Sequence, residues 1–493
     1  MNKRKVIITL AMTLLLVSLL PLTVYAGTPY LNYNYNYWGQ GVPAPAAYIP
    51  VMSVGGKNID PSLGDFISPM DLKVGPDGNI YVLDTGNNRI VVFDRGINLV
   101  KVVEGFTLNG VGHTFQNPQG IFIAGNLDLY IADTDNKRVV VLNQQGEAVS
   151  IIENPRGIGL PDDFDFFPMK VLVGRGDVLY VIARHVFEGI MVFDTQGSFS
   201  GYFGTISVVT NPLDLIWRYL STERQREQQR LFIPTEFLNM DIDQYGFIYT
   251  VNSDELEDNL VKRLNPRGED VLLNIHEGVL IDGDQNYRNF GPFSGPSLFV
   301  DVKAKTHGMY MALDTTRGRV YSYDSEGNLL YVFSGTGNIA GMMGRPVALG
   351  VLEGNVLVLD AFRGEIVFFE PTPYGALINE VVALLYVNDE ASAVDKWREL
   401  IRMDENYPLA FAGIGRALLI EGEYREAMDY LRRGMDMHNY SLAFVRYRNQ
   451  VLRETLAYVF AGSMILLALY FARRVFRLIK KGGKPGKKGG EPV

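Results

Sequence analysis

At 493 residues the chain exceeds what one hydrophobic core organises, so it holds several domains or a repeat architecture. It has no cysteine, which excludes disulfide stapling, cysteine nucleophiles and thiolate metal centres together. The formal charge is −9; taking away the +7 of residues 473–493 and the +3 of the first five leaves −19 between them, a surface unsuited to neutralising phosphates, so nucleic acid is excluded as a partner.

The chain opens with Lys3, Arg4 and Lys5, an apolar run Val6–Leu20, and Val24-Tyr25-Ala26 after Pro21. A basic region, an apolar region and a small-residue cleavage motif in that order predict a secretory signal peptide over 1–26. Residues 27–46 are rich in Tyr, Asn and Pro and read as a flexible leader whose aromatics could stack on sugars.

From residue 47 the sequence repeats. Pro69-Met-Asp-Leu-Lys-Val-Gly-Pro-Asp-Gly-Asn-Ile-Tyr81-Val-Leu-Asp84-Thr-Gly-Asn-Asn-Arg89 recurs as Pro118 through Tyr130 and Asp133 to Arg138, and weaker copies follow. Their anchor residues 81, 130, 180, 249, 310 and 357 are spaced 49, 50, 69, 61 and 47 apart, so two copies carry insertions. Each copy holds short β-branched and aromatic runs separated by turns such as Pro76-Asp77-Gly78-Asn79, which predicts one antiparallel sheet of about four strands per repeat. Sheets repeated in this way close radially and protect their edges. The last copy lacks an outermost strand, and 47–54 is placed to supply it. The fold class is therefore mainly β, a six-bladed β-propeller over 47–371 with an insertion at 205–234.

The motif Asp84…Arg89, repeated as Asp133…Arg138 and Asp314…Arg319, resembles the NHL repeat; in the sixth copy Glu365 stands in the arginine position. A pair recurring at equivalent blade positions is assigned a structural role, as a charge-assisted clamp on a turn. The resemblance implies a propeller and brings in enzymes built on one, the calcium-dependent lactonases and a lyase using histidine-bound zinc. The test is what the inner strands offer the axis. Two residues into each, the sequence reads Asp71, Gly120, Lys170, Asn239, Val300 and Ala348, too few oxygen ligands for calcium and with a lysine among them. His113, His185, His276, His307 and His438 fall at unrelated repeat positions. No catalytic, cofactor-binding or metal residue is assigned, and no cofactor is expected.

The insertion carries Leu213, Leu215, Ile216, Trp217, Arg218, Tyr219 and Leu220 ahead of a charged run and reads as an amphipathic helix, with Trp217, Arg218 and Tyr219 as a candidate partner contact. From about Glu380 the periodicity becomes helical. Ala393 and Ala427 are 34 residues apart, as are Trp397 and Leu431, and Gly422-Glu-Tyr424 reads as a helix–helix junction. This looks like a tetratricopeptide pair over 376–440, with Trp397 and Tyr424 as further candidate contacts, followed by a connecting helix over 441–454.

Residues 455–472 carry no charge and would span about 27 Å as a helix. The eight basic residues from Arg473 to Lys488, against Glu491 alone, make 473–493 a cytoplasmic tail by the positive-inside rule. The expected protein is single-pass in the cytoplasmic membrane, with its bulk extracellular. It is expected to be a binding or scaffold protein for a protein partner in an envelope or transport complex, carbohydrate being a second ligand class. The alternative is an exported carbohydrate-active hydrolase or lactonase.

Overall fold

The structure, a computed structural model, describes residues 28–157, 159–161, 163–204, 236–252, 260–272, 283–284 and 295–482, with side chains to Lys480. The expected signal peptide, the whole 205–234 insertion with Trp217, Arg218 and Tyr219, His276, and the end of the basic tail lie outside these residues. The chain divides into two compact units, the first ending at Asn379 and the second beginning at Glu380.

The first unit is a six-bladed β-propeller. Blade 1 is typical, with antiparallel strands Asp71–Val74, Ile80–Asp84, Arg89–Phe93 and Leu99–Val103. Ile80–Asp84 is buried on both faces because a blade is covered by neighbours on either side, whereas the outermost strand is partly exposed along its length. The turn between the first two strands is set by its residues: Asp77 Oδ1 accepts the Asn79 N–H at 3.1 Å, and Gly78 takes a φ of +76°. Inner strands Asp71–Val74, Gly120–Ile123, Pro168–Val173, Phe237–Ile242, Phe299–Ala304 and Pro346–Leu352 contact one another in order, and the sixth contacts the first. That closed ring of contacts is the propeller axis.

Closure of the last blade follows the expectation. Tyr48–Gly55 runs antiparallel to Glu365–Pro371, pairing Tyr48 with Pro371 and Gly55 with Glu365, so strands from both ends of the propeller share one sheet. Its anchors are Tyr48 and Val54, both buried. The leader departs from expectation. Tyr33–Tyr35 and Gly41–Pro43 form a hairpin that extends the sheet of blade 5 through Tyr33 opposite Val332. The alternating Tyr-Asn pattern is a strand pattern: the Tyr33 ring is buried, and Asn34 Nδ2 donates to the Leu330 carbonyl at 3.2 Å.

Five helices follow: α1 (Pro373–Tyr386), α2 (Glu390–Met403), α3 (Pro408–Glu421), α4 (Tyr424–Arg433) and α5 (Met437–Gly482). Asp389 caps α2 by accepting the Ser392 N–H at 3.2 Å, and Gly422 ends α3 in a left-handed conformation, φ 91°. Glycines set how closely the helices approach: a Cβ on Gly413 would lie 2.3 Å from the Trp397 indole nitrogen, and one on Gly415 2.6 Å from Leu431. Ala393, Ala427, Trp397 and Leu431, the residues spaced by 34, are all buried.

Candidate functional site

Three arrangements collect the polar side chains of the propeller. The first is the turn between the second and third strands of a blade. Asp84 is fully buried; it accepts the Ile67 N–H at 2.7 Å, Asn87 Nδ2 at 2.8 Å and Arg89 Nε at 2.9 Å, while Arg89 Nη2 donates to the Leu63 carbonyl at 2.6 Å. Blade 2 repeats this with Asp133, the Gln116 N–H, Asn136 and Arg138 at 2.8, 2.9 and 2.8 Å. Each clamp ties a turn to the chain entering its own blade. Asn88 and Lys137, immediately before the arginines, are left-handed, as are Gly318 and Gly364 in blades 5 and 6.

The second arrangement, in blade 5, corrects the expectation of an Asp314–Arg319 pair. Arg319 turns instead to Asp284, which also receives Tyr33 Oη at 2.9 Å, the Tyr35 hydroxyl, and Arg317 Nε at 3.3 Å. Asp314 is held by Ser297 Oγ at 2.7 Å and the Thr316 N–H at 2.8 Å. The added hairpin brings Tyr33 against Arg319, and Asp284 is the nearer anion. In blade 6 the residue three after the aspartate takes over: Arg363 Nη1 lies 3.2 Å from Glu365 and its Nε 3.8 Å from Asp360.

The third arrangement lines the axis. Strand register makes Asp71, Gly120, Lys170, Asn239, Asp301 and Ala348 equivalent, each paired with the residue just before its blade's turn, as Asp71 is with Leu83 and Asp301 with Leu313. The axial residue of blade 5 is thus Asp301, and the expectation of Val300 was one position off. Two residues further along, Lys73, Asp241 and Lys303 share the same face.

These groups hold one another. Lys170 Nζ, on the third blade, lies 3.1 Å from Asp71 Oδ2 and 3.1 Å from the Met70 carbonyl of the first, a reach that requires both to face the axis. Lys73 Nζ lies 3.4 Å from Asp71 Oδ1, and Lys303 Nζ 2.9 Å from Asp241. Backbone donors of the next blade complete the carboxylates: the Ile121 N–H reaches Asp71 at 3.1 Å and the Leu349 N–H reaches Asp301 at 2.6 Å. Burial opposes ionisation of Asp71, yet the Lys170 and Lys73 ammoniums outweigh it and hold the carboxyl below its usual range. Asp301 has no ion-pair contact of this kind; burial pushes it up to about 6 against the pull of Lys73. Asn239 Nδ2, on a residue 1% exposed, has no hydrogen-bond partner. Lys305, just past the end of the fifth inner strand, is lowered by burial to about 8. Among the described residues no three carboxylate or imidazole groups come together as metal ligands. The network is a charged plug that braces blades across the axis.

Residues 66–93 match the family model of the NHL repeat. Blade 1 is thus similar to an NHL repeat. Its first three strands and its clamp from Asp84 to Arg89 fall inside the match, and blade 2 reproduces the clamp at nearly the same distance, 2.8 Å against 2.9 Å. No curated protein matches the chain. Solved structures similar to it include a streptogramin B lyase (TM-score 0.41, 11% identity, 66% of this chain and 98% of that one). A virginiamycin B lyase from Staphylococcus aureus (0.40, 10%, 66% and 100%) and a protein of unknown function from Bacteroides thetaiotaomicron (0.39, 13%, 62% and 70%) are also similar.

Of the candidate partner contacts in the second unit, Trp397 is corrected. At 3% exposure it packs beside Tyr407, ring centroids 6.2 Å apart, and belongs to the helical core. Tyr424 is half-buried at the start of α4. The apolar stretch of α5 is long enough to cross a membrane, and none of it is buried.

Proposed function

We propose that this is a membrane-anchored binding protein whose NHL propeller and helical repeats are presented on the outer side of the cytoplasmic membrane to a protein partner. The observation that carries the reading is α5. A helix whose apolar stretch is unburied throughout loses, in water, the free energy that burying each of those side chains would supply, and a bilayer provides that burial. Arg473, Arg474 and Arg477 directly after the apolar run favour a cytoplasmic tail. Along the axis Asp71 is held by Lys170 and Lys73, and Asp241 by Lys303, which favours a bracing role for these residues. The helices from Glu390 onward support a tetratricopeptide-like pair through the core roles of residues 34 apart.

The test is crosslinking in intact cells, followed by purification of the full chain from solubilised membranes. A stoichiometric membrane or envelope protein is expected with it. Recovery of the chain without any stoichiometric partner overturns the scaffold reading.

A further inference from the structure

The helix that enters the bilayer carries a second pattern ahead of its apolar run. Leu442, Val445, Asn449, Leu452, Leu456 and Val459 follow one another at spacings of three and four, and the register continues through Ser463 and Leu466. That is a heptad stripe with a mean period of 3.5, in which Asn449 is the one polar residue among the core positions from Leu442 to Val459. Leu442, Val445 and Leu452 lie outside the expected span and are 39, 40 and 49% exposed. The unit's own packing uses the other side of the helix: Ala443 is buried, and Tyr440 and Tyr447 line a cleft of about 420 Å³ with Arg425, Met428 and Arg432 of α4. At 100° per residue the stripe points nearly opposite that cleft.

We propose that the stripe docks a second copy of this chain, forming a parallel, in-register, two-stranded coiled coil that runs into the membrane. The inference rests on the membrane reading, because one shared topology obliges two copies to lie parallel, which sets Asn449 against Asn449. A buried polar pair of that kind is self-complementary and fixes both register and pairing number. Phe444 lies off the stripe. Arg448 and Arg453 flank it and would meet their like across the pair, but both are exposed, where solvent and salt weaken their repulsion. Two copies joined in this way present each binding surface twice.

The absence of cysteine makes the test clean. Single cysteines are introduced into the full chain by Val445→Cys, Asn449→Cys and Leu452→Cys, and for comparison by Phe444→Cys, Gln450→Cys, Val451→Cys, Ala457→Cys and Ala461→Cys. Each variant is reconstituted in lipid vesicles, washed with alkaline carbonate and oxidised. Disulfide-linked dimer at 445, 449 and 452 is expected to form at least several-fold faster than at the other five positions and to persist on dilution with lipid. Equal rates at all positions, or a maximum at 457 and 461, overturn the coiled coil while leaving the membrane reading standing. Release of the chain into the carbonate wash overturns the membrane reading itself and the parallel pairing that depends on it.

Discussion

Asp84 and Arg89 carry opposite charges out of bulk water, where an ion pair is maintained only by good geometry and by the extra hydrogen bonds each partner receives. Arg89→Ala removes the cation and leaves a fully buried carboxylate with two donors. It is expected to cost about 3 kcal/mol in denaturant unfolding of the solubilised chain, without a specific effect on binding at temperatures where the fold survives. Asp301 behaves in the opposite sense. Its folded-state pKa of about 6 lies above the ordinary 3.8, so its contribution to stability is complete below pH 4 and is lost as pH rises through 6. At 1.36 kcal/mol per unit this amounts to at most about 3 kcal/mol. Between pH 4 and pH 7.5 the stability of Asp301→Asn should therefore improve relative to the natural chain by up to that amount, as read from melting curves across pH; a difference that does not change with pH would remove Asp301 from the account.

The two residues also differ in how legible they were. The Asp84/Arg89 clamp repeats at a fixed offset within a contiguous motif, so spacing alone exposed it. Asp301 stands two residues after Phe299, the first residue of its inner strand, and the reading of Val300 began that count one residue early. Counting back thirteen from the turn aspartate, as from Asp84 to Asp71 and Asp133 to Gly120, leads from Asp314 to Asp301.

Among the elements, the closing strand was readable because blade 6 visibly lacked a partner for Glu365–Pro371. The leader hairpin was not, since three-residue strands alternating Tyr with Asn look like low complexity until Asp284 and Arg319 supply partners for the tyrosine side. Closure depends strongly on Tyr48, which is fully buried, stacks on Phe333 with centroids 4.7 Å apart and receives Asn379 Nδ2 at 3.3 Å. Tyr48→Ala should cost about 4 kcal/mol, and should release the ends of the ring first, seen as faster amide exchange in Tyr48–Gly55 and Glu365–Pro371 than in blade 2. Uniform acceleration over all blades would mean that the ring does not open at this seam. Trp397 shows the opposite limit of sequence reading. An aromatic on an amphipathic helix looked like a contact, and only the close approach of α3 at Gly413 makes it core.

At the scale of the whole molecule, the propeller and the helices were legible from periods of about 50 and 34 residues, and the long apolar stretch of α5 from a run without charge. What binds the protein was not legible, because a closed propeller is stabilised by contacts within itself and its sequence records those first. The central claim is one of placement: propeller outside, tail inside, α5 between. With no natural cysteine, Val149→Cys, at an exposed propeller position, and Lys480→Cys, after the span, each give one reporter thiol in the full chain. Spheroplasts treated with a membrane-impermeant maleimide should label Val149→Cys at once and Lys480→Cys only after lysis. Labelling of Lys480→Cys in intact spheroplasts, or protection of Val149→Cys until lysis, would contradict the account.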